Sequence, residues 1–348
     1  MAKKEEKKKG LWWQLTHTTS LTQEEYKGMI RKISLFIGAF FLLSVVVFLI
    51  IAWIGGINQV VYTIESANLW LYALAFASVF IGYLLSFVKW SYFLQVLKIK
   101  VPIKENFFVY MSLYSMELTP GRIGRVLTAY TLNRLTNVRF INIVPIVTMD
   151  IFTDFLGIAL LALIAAFFFS QYFWYVVIVD VILLLPFLFF LNPWFFKILK
   201  SWGKPDGKLR TFTLYGDEYF NSQSKLNKPS VYIVSVIFTL PSAFFYALSL
   251  YFSLMAIGAF PALGSTASIY SLSQVLGMVS TLPGNIGVTD GFLVGLLSTT
   301  NHLATAVASA VTIMTRIASL WFGVVVGGIF LLITMRYWKP KRTELKRR

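Results

Sequence analysis

The sequence predicts an all-α polytopic membrane protein, with about six spanning helices and two Pro-Gly re-entrant hairpins in an inverted repeat. Three observations carry that prediction. Of the 348 residues, 57% are hydrophobic and 13% charged, against about 25% charged in soluble domains. Several apolar runs exceed the roughly 18 residues that mark a spanning helix. A motif also recurs: Leu118–Val126 reads LTPGRIGRV and Leu282–Val288 reads LPGNIGV. Both contain Pro-Gly-x-Ile-Gly, with the prolines 163 residues apart (283 − 120). Proline removes a backbone donor and close glycines loosen a helix, so each copy predicts a break at membrane depth. Such breaks are tolerated only where they are buried in protein or line a wet cavity. Matched interruptions in two halves of a chain point to a transporter's binding site.

Along the chain, residues 1–32 are a basic segment, and residues 33–335 form a single membrane domain followed by a basic tail, 336–348. Trp12 and Trp13 suit the headgroup level. Thr22 with Glu25 reads as a capping box opening a helical lead-in, Thr22–Lys32. Six apolar segments predict spans: Ile33–Ile54, Leu69–Val88, Ile141–Phe169, Phe173–Leu191, Val231–Phe260 and Leu303–Thr334. Ile33–Ile54 is too long for a cleaved signal peptide. Phe107–Met116 and Val126–Leu132 flank the first motif, and Ile269–Thr281 and Gly287–Leu297 flank the second. The repeats therefore cover about 69–169 and 231–335, separated by a polar insert, 192–229. Phe212, Tyr215, Tyr219 and Phe220 have helical spacing in that insert, which predicts an amphipathic segment flat on the membrane.

Charge orients these segments. The stretches 55–68, 170–172, 258–268 and 298–302 contain no Lys or Arg, and the basic residues concentrate in the alternate connections. The positive-inside rule then places both termini in the cytoplasm of a plasma-membrane protein. The first hairpin would enter from and return to the cytoplasm, and the second would do so from outside. Ordinary two-span hairpins are the rival reading.

Composition excludes much chemistry. The net charge of +16 raises nucleic-acid binding, but its placement at loops and ends explains it as membrane topology, so no nucleic-acid partner is expected. Cysteine is absent, and His17 and His302 are the only imidazoles, so thiol catalysis and multi-His metal sites are ruled out. No Walker A, G-x-S-x-G or H-E-x-x-H motif occurs. No cofactor, metal or catalytic residue is assigned.

Ionisable groups at membrane depth are costly and become functional candidates by default. Asp150 and Asp154 share a helix face, about 14 and 20 Å in from Ile141 at 1.5 Å per residue. Arg316 lies about 20 Å in from Leu303 on the corresponding helix. The expectation is that these three converge at the midplane, either as an anion or proton site or as a structural ion cluster. Glu117, Thr119, Pro120, Gly121, Arg122, Gly124 and Arg125 form or flank the first tip. Pro283, Gly284, Asn285, Gly287 and Asp290 form or flank the second. Arg binds phosphate through a bidentate fork, and broken-helix N-termini favour anions; snorkelling to headgroups is the alternative for Arg122 and Arg125. Asp180, alone in its span, reads as structural or oligomeric. Gly287, Gly291 and Gly295, like Gly323 and Gly327, have the spacing for close helix packing.

ELTPGRIG at Glu117–Gly124 and LPGNIGVTD at Leu282–Asp290 resemble the flippase-like membrane domain of bacterial lysylphosphatidylglycerol synthases and of related stand-alone prokaryotic proteins. The resemblance spans most of residues 30–335. In that family Glu follows the first motif where Arg125 stands here. The next helix carries E-R-x-x-D where this chain has Asp150-Ile-Phe-Thr-Asp154, with Ile151 in the Arg place. The second motif has Gly and Glu where Asn285 and Asp290 stand. No region resembling the synthase's soluble aminoacyl-transferase domain is present, so lipid aminoacylation is not expected.

The resemblance implies movement of an anionic phospholipid or a polyprenyl-phosphate-linked lipid between leaflets. Two rivals stand beside it: an intramembrane enzyme using Asp150 and Asp154 as acid and base, and a non-catalytic partner of a membrane glycosyltransferase. The partners expected are an anionic membrane lipid, a second copy of the chain and a lipid-modifying enzyme.

Overall fold

The computed structural model describes residues 23–136, 138–168, 173–191 and 210–336. They form thirteen α-helices and, among the described residues, no strand: α1 Gln23–Gly55, α2 Ile57–Glu65, α3 Leu69–Val96, α4 Ile103–Ser112, α5 Val126–Thr136, α6 Phe140–Phe168, α7 Phe173–Leu191, α8 Arg210–Leu226, α9 Pro229–Ala256, α10 Leu263–Val279, α11 Val288–Thr300, α12 Thr305–Arg316 and α13 Phe322–Arg336. Trp12, Trp13, Thr22 and the basic tail beyond Arg336 lie outside the described residues. The lead-in and the first apolar run are one helix, α1.

Five stretches among the described residues are long and apolar enough to cross a membrane: 38–55, 69–96, 140–167, 229–256 and 305–335. The protein is a multi-pass membrane protein. The sixth expected span, Phe173–Leu191, is a helix of 19 residues. One boundary differs in a way that matters. The second span does not stop at Val88; α3 runs on to Val96 and carries Lys89 into the interior. Trp90, Phe93 and Leu94 are buried beside it, so the apolar face continues past the charge and keeps the helix in the core.

Large apolar side chains face outward along the spans, as lipid-facing surfaces do. Trp53, Tyr62, Trp70, Trp174 and Phe260 are exposed near the connections that lack basic residues. Amphipathic aromatic rings gather at a membrane interface in this manner.

The two halves interlock. α3 packs along α9, where small residues allow close approach: Ser242 Oγ donates to the Gly82 carbonyl at 2.9 Å and lies 2.8 Å from Ser86 Oγ. α6 packs against α10, while α13 packs against α4. Each half's final long helix thus supports the other half's hairpin. A π turn, Ile317–Trp321, joins α12 to α13; such wide turns are frequent at functional sites. Gly327 on α13 lies so close to the Ser115 and Tyr114 backbone that any side chain there would overlap it.

The described part of the polar insert, α8, packs on α6, buries Gln223 and Leu226, and pairs Glu218 with Arg139 at 2.5 Å. One expectation is corrected: Gly291 and Gly295 do not form a packing seam, since no neighbouring element among the described residues comes within 4 Å of where their side chains would begin.

Candidate functional site

The first tip is built by its own motif. Residues Leu113–Met116 and Pro120–Arg125 are 3₁₀ turns between α4 and α5, and Pro120 and Gly121 lie in the second. Thr119 Oγ1 donates to the Met116 carbonyl at 2.6 Å and accepts from the Gly124 N–H at 2.9 Å. A side chain at Gly124 would meet Thr119, so the motif's second glycine is a close-approach position. Arg122 takes φ +58°.

The second tip uses the same devices. Pro283–Asn285 is a 3₁₀ turn between α10 and α11, with φ of +60° at Gly284 and +55° at Asn285. Gly287, at φ +85°, precedes α11, and its N–H donates to Asp290 Oδ2 at 2.7 Å. Arg316 then fixes this tip. Its Nη2 donates to the Gly284 carbonyl at 2.6 Å, and its Nε pairs with Asp290 Oδ1 at 2.7 Å. The tips touch each other: Leu118 and Ile286 share a small apolar cluster with Leu320 and Val324.

A cavity of about 570 Å³ lies beside this meeting point. Glu117, Thr119, Arg122, Arg125 and Asp154 line it from the first half, and Gly284, Asn285 and Arg316 from the second. Most of the remaining wall is apolar or aromatic, including Tyr83, Tyr114, Tyr246 and Tyr270. Asp150, Pro283, Gly287 and Asp290 are not on this wall. Asp150, Pro283 and Asp290 are buried, and Asp150 and Asp290 hold groups that are on it.

The expected convergence of Asp150, Asp154 and Arg316 is not what forms. Among the described residues the charges separate into two clusters. In the first, Lys89 pairs with Asp150 at 3.1 Å and Asp154 at 2.6 Å. Arg125 pairs with Asp150 at 3.1 Å, with Asp154 at 2.9 Å and with Glu117. Arg122 pairs with Glu117 at 2.9 Å and Asp154 at 3.6 Å. Three cations therefore match three carboxylates. The second cluster is Arg316 with Asp290, again balanced. The reason for the difference is Lys89: with α3 extended, its ammonium fills the place that Arg316 was expected to occupy.

Around the first cluster, Arg125 stands over the Tyr114 ring and Arg122 over the Phe155 ring, 5.9 and 5.7 Å from their centroids. Tyr114 Oη lies 3.1 Å from Tyr110 Oη and 3.3 Å from Tyr246 Oη. Tyr83 donates to the Ser319 carbonyl in the π turn at 3.2 Å. Asp180 on α7 is buried, has no hydrogen-bond partner among the described residues, and is not on the cavity wall. No group of three or more His, Asp or Glu able to hold a metal occurs among the described residues.

Fold and site together define a helical multi-pass membrane protein with a charge-lined, partly open cavity beside two broken-helix tips. The family model described as the lysylphosphatidylglycerol synthase TM region matches residues 40–327, and the chain belongs to that family. No curated protein matches the chain by sequence.

Proposed function

We propose that the protein carries an anionic lipid, a phospholipid or a polyprenyl-phosphate-linked lipid, between the leaflets of the plasma membrane. The observation that supports this most is the cavity shared by both tips. Its guanidinium groups would receive a phosphate, and its apolar and aromatic remainder would tolerate lipid chains. On this reading the tips re-enter rather than span. Helices α4, α5 and α11 have 10, 11 and 13 residues, short of the roughly 20 needed to cross, and α10, with 17, is at the lower limit. Opposite orientation of the two hairpins follows from the basic connections, with both termini cytoplasmic. Acid–base catalysis is less well supported, because Asp150 and Asp154 are each held by two or more cations.

The test is headgroup translocation in liposomes containing only this protein. Fluorescent anionic lipid should become accessible to an external quencher faster than in protein-free liposomes, and Arg122→Gln should abolish the gain. Conversion of labelled lipid to a new product, without movement, would replace transport with catalysis.

A further inference from the structure

We infer that the lipid phosphate enters as a phosphodiester monoanion on Arg122 together with one proton, which goes to Glu117 Oε2. This rests on the transport reading and states what must accompany the headgroup. Arg122 is the cation an incoming anion meets first: its side chain is 20% exposed, against 4% for Arg125 and 0% for Lys89. Arg316, the cation across the cavity, is nearly buried and closed off by Asp290. Arg122 is not free, however, since Glu117 and Asp154 already hold it. A phosphate that takes the Nε edge of its fork bidentately seats there by displacing Glu117.

The carboxylate left worst off is Glu117. Asp154 would keep Lys89 at 2.6 Å and Arg125 at 2.9 Å. Glu117 would keep only Arg125, and its Oε2 would lose the Arg122 Nε contact of 2.9 Å. The site would then hold four negative charges against three positive. A buried unmatched charge is expensive, and ionisable groups neutralise rather than bear it. The groups around Glu117 offer no other compensation. Arg122 and Arg125 face it from the tip and Tyr83 from α3. Tyr114 and Tyr246 share the cavity wall, and α13, packed behind, has no ionisable side chain from Phe322 to Met335. One proton on Oε2 returns the cluster to balance and turns that oxygen into a donor towards the phosphate. The charge moved with each lipid is then zero: one anion and one proton.

Calorimetric titration of the purified full chain with dihexanoyl phosphatidylglycerol tests this, run in two buffers of different ionisation heat. The expected result is uptake of about one proton per lipid bound, with affinity falling about tenfold per pH unit on the alkaline side, the linkage of a single proton. Glu117→Gln should bind with no proton uptake and a flat pH profile. Binding by wild type without net proton uptake would overturn the inference and leave transport standing, as would a Glu117→Gln protein that still takes up a proton. Glycerophosphoglycerol, which carries the same phosphodiester without chains, should not bind measurably; equal affinity would overturn the lipid as its source. A wild-type protein that binds no phosphatidylglycerol at all overturns this inference and confines the transport reading to polyprenyl-phosphate-linked lipids, which the liposome assay tests separately.

Discussion

Arg122 and Asn285 occupy the same place in two copies of one motif, 163 residues apart (285 − 122), and both hold left-handed backbone, φ +58° and +55°. For most L-residues that conformation costs about 1–2 kcal/mol, and Asn bears it better than others. Strain repeated at corresponding turns marks two built tips rather than two kinked helices. Asn285→Gly should therefore melt at or above the wild-type temperature in detergent. Asn285→Val, β-branched, should lose about 1–2 kcal/mol. Equal melting of the two variants would mean the turn is not enforced.

The proposed topology predicts labelling. Cysteines placed at the exposed positions Ser66, Gly264 and Thr299 should react with an impermeant thiol reagent added to intact cells, whereas Lys100, Lys104, Leu135 and Ser224 should stay silent. The native chain has no cysteine, so the background is clean. Lys104 and Leu135 sit at the outer ends of α4 and α5; reaction at one and not the other would rule out re-entry of the first hairpin.

Lys89 sets a stability test. Removing it leaves Asp150 and Asp154 short of a cation, and breaking a buried pair costs about 3–5 kcal/mol. Lys89→Met should melt well below wild type, and adding Asp150→Leu, which restores the balance of the cluster, should recover much of that loss. Adding Asp150→Leu to Arg316→Met should recover nothing, because these two residues share no partner. Recovery there would show that the two clusters are one.

Two glycine substitutions should part company. Gly327→Ala puts a methyl into the Ser115 backbone and should prevent folding or lower the melting temperature sharply. Gly291→Ala meets open space and should be neutral or stabilising by up to about 1 kcal/mol, from helix propensity. Loss of stability in Gly291→Ala would reveal a helix partner for that face.

Much of the fold was legible because lipid imposes long apolar runs, and the paired motif located both tips without coordinates. Eight of the expected site residues do line one cavity. What spacing could not show was which charges meet. Asp150, Asp154 and Arg316 have suitable depths, but depth along an axis carries no information about rotation or neighbours. Lys89 was overlooked because a cation after an apolar run looks like a loop boundary; Trp90, Phe93 and Leu94 beyond it held the contrary signal. The glycine spacing at Gly287, Gly291 and Gly295 misled for a related reason: small residues permit close contact, and whether a helix arrives is decided elsewhere.

The exchange of supports between the halves limits how the chain could be divided. α6 lies against α10, and α13 against α4, so a cut between α7 and α8 would leave each fragment holding the cradle of a hairpin it does not own. Neither piece could complete its own core, yet the two should find each other when made together.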